Sequence, residues 1–246
     1  MTQNRPKIVD PREAERRRSL MFKIGAAVVL IAIAAGVAIW AVVSNQEDDN
    51  VSASGTPSVV NQDGAIRITT APKGSTPKAV LTIVEDFQCP ACNSFEQNFG
   101  STVNELAKNP NVAIDYKPII FLDRGRDTNY SANTANASMC VAEATGKNGD
   151  MASWKKFHDL LFANQSEEGG PGPSADSLKS WAKDAGAGGA GQCIDDNRFG
   201  AWLNARSTEI LKDPGFKGTP WVRLNGTTVE LSTPDALSAA VLAAAK

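Results

Sequence analysis

Histidine is almost absent from this chain: His158 stands alone among 246 residues, with only four cysteines beside it. A closed zinc site takes four nitrogen or sulfur ligands. Two of the cysteines, Cys140 and Cys193, are solitary and 53 positions apart in the sequence, so zinc is a poor reading and no metal is expected. Net charge is lacking as well. A balance of −2 creates no overall field of the kind that draws nucleic acid, and no nucleic-acid partner is expected. There is no internal repeat. No cysteine directly follows the long apolar run near the N-terminus, which excludes a lipid-modified cysteine there.

What is present is unevenly placed. Residues 1–23 carry seven basic side chains against three acidic ones, and the rest of the chain is net acidic. Ile24 to Val43 then runs without a charge or a strongly polar group. A helix of about 20 residues spans about 30 Å, the thickness of a bilayer's hydrocarbon core. The sequence thus predicts a cytoplasmic arm over 1–23 and a transmembrane helix over 24–43, with Trp40 as an interfacial anchor. Arg16, Arg17, Arg18 and Lys23 flank the near side, and Glu47, Asp48 and Asp49 the far side. Basic flanks stay inside, so the expected location is the cell membrane, single-pass, with the C-terminal domain extracytoplasmic. A cleaved signal peptide is the rival; its basic and apolar regions would both be shorter. Residues 44–63 are polar, with Gly, Pro and Ser, and predict a flexible tether.

The folded unit is then expected over 64–246. Ala65 to Thr70 alternates like a strand, and Ala79 to Val84 is a continuous apolar run suited to a central strand. After Cys89-Pro90-Ala91-Cys92, the residues Cys92, Phe95, Phe99, Val103 and Leu106 recur at helical steps on one face. Val112 to Leu122 predicts another strand. Helical patterns follow over 127–147, 150–163, 174–185 and 190–212. Asn225-Gly226 between two β runs (221–224 and 227–231) is a strong hairpin signal, and a helix over 234–245 closes the chain. With the helical block at 123–212 set aside, the order is that of a thioredoxin fold bearing a CxxC at the start of its first helix.

Two residues between cysteines place the thiols one turn apart. With Pro90 at the first helical position, Cys89 faces unpaired N–H groups and the positive end of the helix dipole. Both favour a thiolate, which is the nucleophile. Cys92 shares the apolar face, so it is expected to be the buried second thiol. A structural CxxC bond is disfavoured, because so short a loop gains little entropy and tends to be strained.

Asp86-Phe87-Gln88-Cys89-Pro90-Ala91-Cys92 resembles the active-site segment of DsbA-like exported proteins. Three further segments are similar to that family: Ala135 to Lys147, Phe157 to Gln165, and Gly218-Thr219-Pro220. The resemblance implies an α/β thioredoxin fold with an inserted helical domain and a thiol–disulfide oxidoreductase activity carried by Cys89 and Cys92. Pro90, Ala91, Thr219 and Pro220 would support the site, with a cis bond before Pro220. No cofactor is implied beyond the redox-active disulfide. Many relatives carry a buried acid six residues before the first cysteine. Here that position is Ile83, leaving Glu85 or Asp86 as substitutes for proton handling. Ala91 stands where the best-known oxidases have histidine.

Cys140 and Cys193 fall on different predicted helices, and an even cysteine count in an oxidising compartment argues for pairing. Two buried free thiols or a second redox pair are the alternatives. His158 shares a face with Trp154, Phe157 and Leu161 and reads as a packed core-edge histidine outside the site. The expected function is an oxidase of exported proteins, reoxidised by a membrane partner, DsbB-like or vitamin K epoxide reductase-like. An isomerase or reductase of the same fold, and a copper-handling dithiol protein, are the rivals.

Overall fold

A computed structural model describes residues 55–246 of the chain. The expected arm (1–23), the expected transmembrane helix (24–43) and the first part of the tether lie outside the described residues. Among those described, no helix is long and apolar enough to cross a membrane.

The elements follow in chain order as β1 (Ile66–Thr69), β2 (Ala79–Glu85), α1 (Pro90–Leu106), β3 (Val112–Pro118), α2 (Tyr130–Thr145), α3 (Ala152–Ala163), α4 (Ala175–Asp184), a 3-10 turn (Gly188–Ala190), α5 (Gly191–Asp195), α6 (Gly200–Leu211), β4 (Trp221–Leu224), β5 (Thr227–Thr228) and α7 (Pro234–Ala244). The strands form one sheet in the order β1-β3-β2-β4-β5. Its central pair, β2 and β3, is parallel, with Leu81 opposite Ile114 and Ile83 opposite Tyr116. β1 on β3, β4 on β2 and β5 on β4 are antiparallel. Leu81, Ile83 and Ile114 are fully buried, as a strand covered on both faces requires. α1 and α7 pack together, and α2 to α6 form the inserted helical region. This is a thioredoxin fold with a helical insertion.

Several boundaries differ from the sequence-based expectation, each for a local reason. The expected strand 112–122 stops at Pro118. Beyond it the amides are taken by side chains: Ile120 N–H donates to Ser207 Oγ, and Phe121 and Leu122 N–H donate to Asp86 Oδ2. The expected helix 190–212 is split, because Asn197 takes φ 46° and the Phe199 N–H donates to Asn136 Oδ1 at 2.9 Å. The strand expected over 227–231 keeps only Thr227–Thr228 in the sheet.

The tether expected over 44–63 also needs correcting over its described part. Pro57 is buried, and Val59 and Val60 pack against the core. Glu143 accepts from the N–H of Ser58 at 2.6 Å and from its hydroxyl at 2.8 Å. Asn61 donates to Asp115, which Arg67 holds through two 2.7 Å bonds. Low hydrophobicity hid this segment because its order comes from a few long-range polar contacts.

Candidate active site

Strand β2 ends by delivering four buried residues in a row, Glu85, Asp86, Phe87 and Gln88, to the mouth of α1. Asp86 makes the turn. Its Oδ1 accepts from Gln88 N–H, its Oδ2 accepts from Phe121 and Leu122, and its carbonyl accepts from Cys89 N–H. Burial raises the Asp86 carboxyl against the pull of these bonds. Both Asp86 oxygens are thus committed to backbone amides, which makes it a brace for the loop.

Cys89 is the N-cap residue of α1, with extended backbone (φ −76°, ψ 118°), and Pro90 opens the first turn. No side chain caps the helix, so the Cys89 sulfur itself meets the free N–H groups. Its pKa is lowered to about 6, first by a hydrogen bond from the Cys92 thiol, then by Thr219 and the N–H groups of Cys92 and Ala91, all against burial. The Cys92 thiol is pushed well above its ordinary value, chiefly by burial and then by the neighbouring Cys89 and Glu85. Both cysteines are free thiols, Cys89 at 7 % exposure and Cys92 at 1 %. Pro90 and Ala91 are exposed. Across from them, the Thr219-Pro220 bond is cis, and the Thr219 carbonyl accepts from Cys89 Sγ at 3.4 Å.

The insertion supplies the side of the site. Gln165, just after α3, donates through Nε2 to the carbonyls of Phe87 (2.9 Å) and Cys89 (3.0 Å), and its Oε1 accepts from Asn93. Gln88 reaches the other way, to Asp123 and Ser131 through Nε2 and to Gly169 N–H through Oε1. Sequence reasoning quoted both glutamines within motifs but gave neither a role.

His158 is not at the core edge. It is fully buried in α3, ringed by Phe87, Tyr116, Trp154 and Phe162 at centroid distances of 5.0–5.7 Å. Its Nε2 lies 3.0 Å from Oε1 of Glu85, itself 1 % exposed, and its Nδ1 lies 3.2 Å from Asp159. Burial opposes a charge here, but Glu85 and Asp159 outweigh it and raise the histidine to about 9. Glu96 of α1 completes the cluster, and burial raises its carboxyl too. Glu85, Glu96 and His158 each offer an atom within 4.8 Å of the others, a spacing that invites a metal reading. Both ring nitrogens are already engaged by carboxylates, however, so the set is a hydrogen-bonded acid–base chain and not a coordination sphere.

Cys140 of α2 and Cys193 of α5 form a disulfide with Cα atoms 5.7 Å apart. It lies within the insertion and ties two of its helices together.

The family described as Thioredoxin matches residues 74–243. The oxidised DsbA of Mycobacterium tuberculosis superposes with a TM-score of 0.64 at 34% identity, over 74% of this chain and 92% of that one. The reduced disulfide bond oxidoreductase DsbG of the same organism gives 0.64 at 34% identity, over 74% of this chain and 88% of that one. A curated relative, the serine/threonine-protein kinase PknE of Mycobacterium tuberculosis, is 28% identical over 67% of this chain. The match spans only 30% of the kinase's length.

Proposed function

Because the chain belongs to the DsbA-like thiol–disulfide oxidoreductases of the thioredoxin family, we propose that it introduces disulfide bonds into exported proteins through Cys89 and Cys92. The observation that carries this reading is the asymmetry of the two thiols: Cys89 sits at the N-cap of α1, 3.4 Å from the carbonyl before the cis Pro220, which favours its thiolate, while Cys92 is buried one turn on, which disfavours its own. A dithiol whose first sulfur is a stabilised thiolate at neutral pH is slow to give up its electrons, so its disulfide is oxidising.

In the forward reaction a substrate thiolate attacks Cys89 Sγ, the Cys89–Cys92 bond breaks, and its electron pair leaves on Cys92. A second substrate thiolate then attacks the substrate sulfur of the mixed disulfide and releases Cys89 as the thiolate. Two electrons have passed to the enzyme, and a membrane partner, DsbB-like or vitamin K epoxide reductase-like, removes them. The Thr219 carbonyl beside Cys89 offers a backbone acceptor for an extended substrate segment. The basic flank and uncharged run of residues 16–43 support a membrane-held domain facing the extracytoplasmic side.

The test is the glutathione redox equilibrium of the full chain, with quenched thiols alkylated and weighed. A potential above the roughly −270 mV of thioredoxin and towards the roughly −120 mV of DsbA is expected; one near −270 mV would make the protein a reductase. A second reading within the same fold is an isomerase or reductase that works on disulfides already formed. Refolding of a scrambled disulfide substrate separates the two, since an oxidase alone leaves wrong pairings in place.

A further inference from the structure

The bond from Gln165 to the active-site loop is the last link of a longer chain of side-chain amides. Gln97 Nε2 donates to Asn93 Oδ1 at 3.1 Å, and Asn93 Nδ2 donates to Gln165 Oε1 at 3.1 Å. Gln165 Nε2 then donates to the carbonyls of Phe87 and Cys89. Every donor in the chain points towards the loop. A carboxamide has donors at one end and an acceptor at the other, and a backbone carbonyl only accepts, so flipping Asn93 or Gln165 breaks bonds on both of its sides. Asn93 and Gln97 lie four residues apart on α1, the helix that carries Cys92, whereas Gln165 belongs to the insertion. The backbone around Gln165 is itself pinned. Its N–H donates to the Phe162 carbonyl at 3.2 Å, and the Ser166 N–H donates to the Tyr130 hydroxyl at 2.9 Å.

The Cys89 carbonyl accepts from the N–H groups of Cys92 at 3.1 Å and Asn93 at 3.2 Å, the bonds that start α1, and from Gln165 at 3.0 Å. The Phe87 carbonyl, on a residue 1 % exposed, accepts from Gln165 at 2.9 Å. One amide thus clamps the backbone on both sides of Gln88. The extended backbone of Cys89, which aims its sulfur at the helix N–H groups and at Thr219, is held by that clamp. A buried carbonyl left without a donor is costly, so a loop without Gln165 turns to find another partner and carries Cys89 with it. We propose that Gln165 is a positioning residue for Cys89, its carboxamide oriented by Asn93 and Gln97, and that this chain keeps the sulfur in its reactive place. The proposal rests on the disulfide-exchange reading and deepens it. The three amides are uncharged, so the hold is the same at every pH, and their aligned N–H ends polarise one another towards the thiolate.

The rate of carbamidomethylation of Cys89 in the reduced full chain, followed by mass across pH, reports its thiolate fraction. Gln165→Met keeps the length of the side chain and removes its hydrogen bonds. In that variant the midpoint is expected to rise by about one pH unit, a loss of about tenfold in thiolate preference. Its glutathione equilibrium should move several-fold towards the disulfide, because the dithiol has lost a stabilised sulfur. Asn93→Ala, at a half-buried helical position that suits alanine, should shift both readouts the same way by a smaller amount. An unchanged midpoint in either variant, with cooperative unfolding retained, would overturn the proposal, and either variant decides alone if the other does not fold. An equal rise in Cys140→Ser with Cys193→Ser, which loosens the insertion and leaves the amides in place, would overturn it too. Each outcome is a difference from the wild-type chain, so it is separate from the wild-type potential by which the oxidase reading stands or falls.

Discussion

Cys89 and His158 titrate in opposite senses and leave separate marks on stability. The folded pKa of His158, about 9, lies above the ordinary 6.5. The stabilisation it brings is fully present below pH 6.5 and is lost as pH rises through 9. Cys89 lies below its ordinary 9.0, at about 6. Its contribution exists only in the dithiol form, is present above pH 9, and is lost as pH falls through 6. Urea unfolding of the oxidised protein should therefore weaken between pH 6.5 and 9. The stability of the reduced form relative to the oxidised form should grow over pH 6 to 9. A flat difference across that range would contradict the assignment of Cys89 as a thiolate. At this scale the placement of Cys89 was legible, because its causes are local: a proline at the first helical position and a helix end. The Glu85–His158 contact was not. It joins residues 73 positions apart, and a lone histidine on an apolar helical face looks the same whether or not a carboxylate meets it.

Among the elements, the β4–β5 hairpin shows sequence and backbone agreeing most directly. Asn225 and Gly226 both take positive φ, 46° and 84°, as a two-residue primed turn demands. Asn225 also accepts from Val80 N–H at 2.8 Å and donates to the Lys78 carbonyl, which locks the turn to β2. Gly226→Ala should cost about 1 kcal/mol by denaturant titration, from the left-handed conformation alone. Asn225→Ala should cost more, since it adds two lost hydrogen bonds. Elements of strong period, such as β2 and α1, could be read from their apolar pattern. The ends of β3 and the break before α6 could not, because Asp86, Ser207 and Asn136 impose them from distant parts of the chain. Nor could the order of residues 55–63, which depends on Glu143 and Asp115.

At the scale of the whole described unit, the Cys140–Cys193 bond closes a loop of 53 positions. Chain entropy assigns such a loop about 4 kcal/mol. Cys140→Ser with Cys193→Ser should lower unfolding stability by up to that amount, while the glutathione equilibrium of Cys89 and Cys92 shifts little. A large shift in that equilibrium would show that the insertion tunes the reactive pair through this bond. The pairing was readable from the even cysteine count; its place between α2 and α5 was not, since it required the helix break that creates α5.

Gln88 and Gln165 hold the active-site loop from opposite sides, and each crosses the boundary between the sheet and the insertion. The helical region is therefore no interchangeable cassette. A chimera carrying the insertion of a relative would inherit a loop cut to fit other partners, with the carbonyl of Cys89, which also accepts from the N–H groups of Cys92 and Asn93, missing its third donor, Gln165. Swaps between members of the family should keep activity only when these two glutamines and their acceptors travel together, so heredity at this site is a matter of matched pairs spread along the chain.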